Sequence, residues 1–332
     1  MIATDEDFER QTAPFRREIL AHCYQLLGSV HDAEDLAQET MLRAWRARGQ
    51  FDERRGSMRT WLYRIATNAC LTAIERRPRR PLPSGLGAPG DDPQAPVLAG
   101  AEVAWLQPFP DALLAGGGGD PAAVVASRAG IRLAFVAALQ YLSARQRAVL
   151  ILRDVLGWPA AEVAGLLDTT TTAVNSGLRR ARDRLARELP AEDELAEPAG
   201  PRARALLERF AAAVESADAG ALAGLLAEDV ALEMPPVLTW FTGRRAVVQF
   251  VAAQLFTEPG GLLPVAVTAN GQPAFAVYQR EPGGGYHAHA VLVLTVTRAG
   301  IGRIVSFQDP GLFGSFGLPP QWRASGLVPA QD

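Results

Sequence analysis

Asn175, Ser176, Arg179, Arg180 and Arg182 run at helical spacing beside Val174, Leu178, Ala181 and Leu185. The apolar residues, four, three and four apart, bury one side of a helix and leave the asparagine and arginines on the other. Such groups near the start of a helix can reach base edges and phosphates in a major groove; a solvated bundle helix carries the same pattern. A second cationic run, Arg54, Arg55, Arg59, Arg64, Arg76 and Arg77, is interleaved with Trp61, Tyr63 and Asn68. Cations along a backbone with flat or polar groups between them suit opened, unstacked strands. The spacing of Trp61 to Ile65 and Ala69 is that of a buried stripe, which favours core over a stacking platform for that ring. A third set, Asp229, Glu233, Tyr278, His287 and His289, holds the groups of acid–base chemistry. His287 and His289, two apart on a strand, share a face and could bind a metal or carry protons. They lack an evident third ligand, so no catalytic residue, metal or cofactor is assigned. Trp240, Phe241, Phe250 and Phe275 would suit a ligand pocket or an ordinary core.

The elements that position the first set are short helices between Leu142 and Leu189. Ser143 and Gln146 stand at capping-box spacing, Gly157 supplies a left-handed stop, and Pro159 opens a second helix carrying Val163, Ala164 and Leu167. Asp168 to Thr171 form the turn, and Thr172 lies at the start of the third helix. This is the pattern of a helix-turn-helix.

Around these motifs the 332 residues, 48% hydrophobic and 21% charged, allow two or three domains. The net charge of -3 hides segregation: Arg43 to Arg80 and Arg128 to Pro190 are basic, whereas Pro81 to Ser127 carries only Asp91, Asp92, Glu102, Asp111 and Asp120. Every one of the 33 cations is arginine. Cys23 and Cys70, both on expected helices, suit a reduced cytoplasmic protein, and the acidic MIATDEDFERQ start is no signal peptide. Residues 5 to 78 read as a helical domain, 79 to 127 as a Pro/Gly-rich acidic linker, 128 to 190 as the helix-turn-helix with a preceding helix from Pro121 to Gln140, and 200 to 320 as an α+β domain. Val103, Trp105, Leu106, Phe109 and Leu113 are expected to anchor part of the linker. In the last domain Val230, Leu232 and Met234 alternate with Ala231 and Glu233, and an antiparallel sheet is expected to wrap a helix.

DAEDLAQETMLRAWR, from Asp32 to Arg46, and TWLYRIATNACLTAIERR, from Thr60 to Arg77, resemble region 2 of bacterial sigma factors of the extracytoplasmic-function (ECF) group; the helix-turn-helix resembles their region 4. From about Pro201 onward, DVALEMPP, ANGQPAFAVY and LFGSFGLPP resemble SnoaL-like domains. The expected fold is therefore multidomain: two all-α sigma domains followed by an α+β SnoaL-like cone.

The resemblance implies a non-enzymatic chain that binds core RNA polymerase and promoter DNA, with a fused C-terminal domain that regulates it and takes a small ligand or a protein partner, away from membranes. It implies that Asp32, Glu34, Asp35, Gln38, Glu39 and Arg43 meet polymerase, although a solvated helix face would carry the same charges. Arg59, Trp61, Arg64, Asn68, Arg76 and Arg77 would meet the minus-ten element. Thr72 stands where relatives commonly have aspartate. Thr172, Asn175, Ser176, Arg179, Arg180 and Arg182 would meet the minus-thirty-five element, and Asn175 and Gly177 stand where many relatives have lysine and arginine. In relatives the linker threads basic polymerase channels, so its acids would imitate nucleic acid there or be ordinary surface charge. Outside this class, the chain could be a ligand-sensing DNA-binding activator, or a SnoaL-like enzyme with an autoregulatory N-terminal half.

Overall fold

The structure is a computed structural model and describes residues 5–54, 56–76, 79–100, 102–115, 130–187 and 200–322. It divides into two compact units, Met1–Arg80 with Asp111–Leu189, and Pro81–Pro110 with Pro190–Asp332. The linker is thus split, its larger part belonging with the C-terminal residues. No helix among the described residues is long and apolar enough to cross a membrane.

The first unit is helical. Its N-terminal part comprises α1 (Asp5–Thr12), α2 (Arg16–Leu27), α3 (Val30–Arg46) and α4 (Met58–Glu75). Ser29 and Ser57 cap α3 and α4 by accepting from the amides of Asp32 and Thr60, and Gly28, left-handed at φ 70°, ends α2. Ile19, Cys23, Tyr24, Leu26, Leu62 and Cys70 are fully buried, so α2 is the central helix of this part. His22 is buried with them, its Nε2 2.8 Å from the Thr67 hydroxyl. Burial, with Arg59 adding to it, lowers the imidazole to a pKa of about 3 and keeps it neutral.

The helix-turn-helix part comprises α5 (Leu133–Leu139), α6 (Ala144–Leu150), α7 (Ala160–Leu166) and α8 (Thr171–Leu185). Both hydrogen bonds of the expected capping box at Ser143 and Gln146 are present. A π-helical turn over Ile151–Val155 follows α6, and Gly157 adopts the expected left-handed conformation at φ 69°. Asp168 turns the chain into the recognition helix at φ 47°, and Thr170 caps that helix. Of the helix expected from Pro121, the part before residue 130 lies outside the described residues.

Gly177 sits inside α8, and apart from its chain neighbours and the backbone of its own helix nothing lies within 4 Å of where a Cβ would stand. Gly177→Ala should therefore stabilise the chain by ~0.5–1 kcal/mol through the lower backbone entropy of alanine, measured as a raised thermal midpoint. A fall would mean that the space is not there.

In the second unit one seven-stranded sheet has the order β2–β1–β6–β5–β4–β3, with β7 paired to β5. The strands are β1 (Leu226–Glu233), β2 (Trp240–Thr242), β3 (Leu262–Ala269), β4 (Gln272–Arg280), β5 (Tyr286–Thr297), β6 (Gly300–Phe307) and β7 (Gln321–Trp322). The expected antiparallel sheet is corrected in one place: β1 and β6 are parallel, because the chain between them passes through a helix and four strands instead of a hairpin. Helices α9 (Pro201–Glu215), α10 (Ala219–Ala223) and α11 (Arg244–Gln254) pack with the sheet in one shared hydrophobic core. Phe210, Val230, Phe241, Phe250, Phe275 and Leu294 form its core, with Phe241 and Phe250 4.7 Å apart and Phe210 and Phe275 5.5 Å apart.

Candidate nucleic-acid interface and linker

Recognition helix α8 buries Val174, Leu178, Ala181 and Leu185 and exposes Thr172, Asn175, Arg179 and Arg180, with Ser176 half-exposed. Arg182, also exposed, has a partner within the unit. Its Nε and Nη2 donate to the Asp154 carboxylate at 2.8 and 2.6 Å, and hydrogen bonding to that acid raises its pKa. It is a positioned ion pair, with Arg184, exposed one turn beyond Arg180, left as the next cation of that face.

On α4, Arg64, Asn68 and Thr72 follow at four-residue steps and are exposed, as is Arg76. The Thr72 hydroxyl donates to the Asn68 carbonyl at 3.0 Å. Arg59 and Tyr63 are corrections. Arg59 Nε donates to Glu18 Oε2 at 2.7 Å and lies 5.2 Å over the Tyr63 ring. Tyr63 is 1% exposed and donates to the same carboxylate at 3.3 Å; burial, then Glu18, lifts its phenol far above the ordinary value. Glu18 thus engages both groups, Arg59 keeping 30% of its side chain exposed. Trp61 is half-buried, 5.2 Å from Phe51, as its spacing implied. Arg55 and Arg77 lie outside the described residues.

On α3, Asp35, Gln38 and Arg43 are exposed, while Glu34 and Glu39 are half-exposed. Arg43 Nε pairs with Glu39 at 2.7 Å. Asp32 is corrected: Arg80 grips its carboxylate at 2.6 Å and the two are largely shielded. Leu42 and Trp45, 39% and 38% exposed, lie on the same helix. Asp35, Gln38, Leu42 and Trp45 recur at three- and four-residue steps, a mixed stripe legible in the spacing but not in the pattern of charge alone.

Within this unit the two parts are locked together. Trp158, 5% exposed, meets Tyr63 at 5.3 Å between ring centres. Arg64 Nη2 donates to Gly165 O at 3.3 Å and lies 3.5 Å from Asp168 Oδ1, so a cation of the α4 face holds the turn that launches α8. Arg147, 3% exposed, donates from α6 to Leu26 O of α2 and, at 3.0 Å, to Gln140. Burial lowers its pKa to about 10.

In the other unit the Pro81–Pro110 segment is strapped onto the sheet. Ser84 N donates to Glu233 Oε2 at 2.9 Å. Gly90 N donates to Trp240 O at 2.7 Å and Trp240 Nε1 to Gly87 O at 2.9 Å. Leu98, Ala99 and Gly100 run against Pro236–Thr239 as an edge bridge. Asn270, left-handed at φ 58°, accepts from Phe109 N at 2.9 Å and donates back to Phe109 O at 2.8 Å. Leu106 and Phe109 are fully buried, whereas Val103 and Trp105 are half-buried and Leu113, in the helical unit, is replaced as an anchor by Leu114. A Cβ at Gly100 would stand 2.7 Å from the Trp105 ring, which explains glycine at this close approach. Asp91, Asp92 and Glu102 stay exposed; Asp120 lies outside the described residues.

Glu233 is 0% exposed, with its other oxygen 3.1 Å from Arg303. The remaining acid–base candidates do not converge. Tyr278 is buried and donates to Pro319 O at 3.0 Å, with burial raising its pKa to about 12. His287 faces Glu281 at 3.7 Å, and burial with His287 nearby lowers the pKa of His289. Asp229 is exposed. Among the described residues no cluster could hold a metal. Phe241, Phe250 and Phe275 are core, and Trp240 anchors the strap.

Comparison with known proteins gives three family matches: Sigma-70 region 2 at residues 13–80, Sigma-70 region 4 at 132–185, and a SnoaL-like domain at 207–307. The chain is 49% identical over 316 residues to the ECF RNA polymerase sigma factor SigG of Mycobacterium tuberculosis, covering 94% of this chain and 84% of that one. It is 26% identical over 297 residues to SigJ of the same organism, covering 85% of each. The crystal structure of SigJ shares its fold, with a TM-score of 0.59 at 22% identity over 95% of this chain and all of that one.

Proposed function

Since this chain belongs to the extracytoplasmic-function group of RNA polymerase sigma factors, we propose that its cone regulates initiation by withholding the linker between two promoter-reading parts. Sigma factors bind core RNA polymerase and promoter DNA and direct transcription initiation; they are not enzymes. The α4 face of Arg64, Asn68 and Arg76 meets the opened minus-ten element, with Trp61 behind it. The α8 face of Thr172, Asn175, Ser176, Arg179 and Arg180 meets the minus-thirty-five element. The α3 stripe of Asp35, Gln38, Leu42 and Trp45, flanked by Glu34, Glu39 and Arg43, docks on polymerase.

The observation that carries the regulatory reading is the strap. A segment hydrogen-bonded along Trp240, Pro236 and Asn270 cannot at the same time run through polymerase. The lock between the two parts supports the same reading. Their DNA elements lie roughly 25 base pairs apart, on the order of 85 Å at 3.4 Å per base pair, yet Arg64 lies 3.5 Å from Asp168 at the mouth of the recognition helix. Both elements can be engaged only after this contact opens.

Run-off transcription with core polymerase tests the proposal. A chain ending at Ala199 should give several-fold more transcript than the full chain; a loss of transcript would make the cone a required brace. The phosphate assignment is tested on a minus-thirty-five duplex. Arg180→Ala should lower the salt slope of binding by about one, and Arg182→Ala by less, because its guanidinium must first leave Asp154. Equal effects would return Arg182 to the DNA face.

A further inference from the structure

We propose that a cleft on the second unit, between α9 and the β5–β6 turn, binds a nucleoside phosphate. The cleft measures about 560 Å³ and is lined by Arg202 and Arg209 on one wall, Arg298 on the other, and Leu206, Leu225 and Val296 between them, with no carboxylate in the lining among the described residues. Arg202 and Arg209 stand seven residues apart on α9, hence on one face and about 10 Å apart along the axis. All three arginines are exposed. In this unit Glu228 and Glu233 are taken by Arg244 and Arg303, and among the described residues no acid pairs with Arg202, Arg209 or Arg298.

The opposite wall is rigid. Gly300, at φ 128°, lies so close to the next element that a Cβ there would stand 2.6 Å from Leu225 O, and Ile301 N donates to that same carbonyl at 2.9 Å. The Thr297 hydroxyl donates to Gly300 O at 2.9 Å and accepts from Ala299 N at 3.2 Å, which fixes the turn that presents Arg298. Three guanidinium groups that line one cleft with no acid pairing them among the described residues repel one another, and a phosphate relieves this with paired, charge-assisted hydrogen bonds. The apolar strip between the arginines takes a flat ring. The volume falls in the range of small-molecule sites, ~300–1,000 Å³, and the concave shape suits a compact ligand better than the convex surface of a duplex.

Calorimetric titration of the full chain, without polymerase, is the test, and it is independent of whether the cone restrains the linker. The probes are the four common ribonucleoside diphosphates, inorganic pyrophosphate, adenosine and a 20-base-pair duplex. At least one diphosphate should bind with one site per chain, pyrophosphate should bind more weakly, and adenosine should not bind. The double variant Arg202→Ala/Arg209→Ala should weaken binding at least tenfold, and Arg298→Glu should abolish it. Ala205→Trp, which fills the lining without altering charge, should abolish it as well. The proposal is overturned if no nucleotide binds, if these variants leave the affinity unchanged, if pyrophosphate binds as tightly as the nucleotides, or if the duplex displaces the nucleotide and binds more tightly through the same arginines.

Discussion

Trp158→Ala is expected to raise promoter-dependent transcription by the full chain about tenfold while lowering its thermal midpoint. Trp158 is 5% exposed in the helix-turn-helix part and meets Tyr63 of the other part at a ring distance of 5.3 Å. Truncating a buried aromatic costs ~3–5 kcal/mol in all, of which the tilted ring pair accounts for ~0.5–1.5 kcal/mol. If ~1.4 kcal/mol of this falls on the contact between the parts, the open population rises tenfold. Backbone bonds near Trp158, from its amide to Leu152 O at 2.9 Å and from Arg153 to its carbonyl, do not depend on the indole, so the local turn should survive. Trp158→Phe keeps a ring against Tyr63 and should stay near the parent. Transcript yield that only falls, in step with the loss of folded chain, would make Trp158 an ordinary core residue.

Glu233→Ala should release the strap at its first anchor. The carboxylate is 0% exposed, accepts from Ser84 N at 2.9 Å and faces Arg303 at 3.1 Å. Removing one member of a fully buried pair costs ~3–5 kcal/mol; Arg303 is 37% exposed and can turn to water, so the cost here should be nearer ~2 kcal/mol. Hydrogen exchange should quicken most at Ser84 and Gly90, and transcription by the full chain should rise several-fold. Glu233→Gln keeps an acceptor for Ser84 and should sit between parent and alanine variant. Unchanged exchange along 81–110 would mean that the strap holds without this residue.

What the sequence made legible was local. The capping box at Ser143 and Gln146, the stop at Gly157 and the apolar stripe from Val174 to Leu185 are decided by neighbours within two helical turns, and the structure has them as read. Residues whose fate depends on distant partners were not legible. Arg59 and Tyr63 had the types and spacing of strand-binding groups, but Glu18, forty-one residues from Arg59, claims both. Asp154 claims Arg182 and Arg80 claims Asp32 in the same way. Alternation put Glu233 on the face of β1 opposite Val230 and Leu232, and alternation cannot show that another segment, through Ser84, covers that face. The Pro/Gly-rich composition of 81–110 correctly excluded long regular elements; it did not show that Gly90 and Gly100 are there to let a strap lie close on a sheet. The parallel β1–β6 pair was missed because turn signals report hairpins and say nothing about strands that meet after a long excursion.

The most direct test is the separation of the two promoter-reading parts, measured by spin-label distances between Glu75→Cys and Asp183→Cys in the full chain. Native Cys23 and Cys70 are fully buried and should stay unlabelled. The free chain should give one short distance, and the complex with core polymerase and promoter DNA should give one longer by tens of ångströms, as the spacing of the two DNA elements requires. A long distance already present in the free chain, or no change on forming the complex, would contradict the locked state.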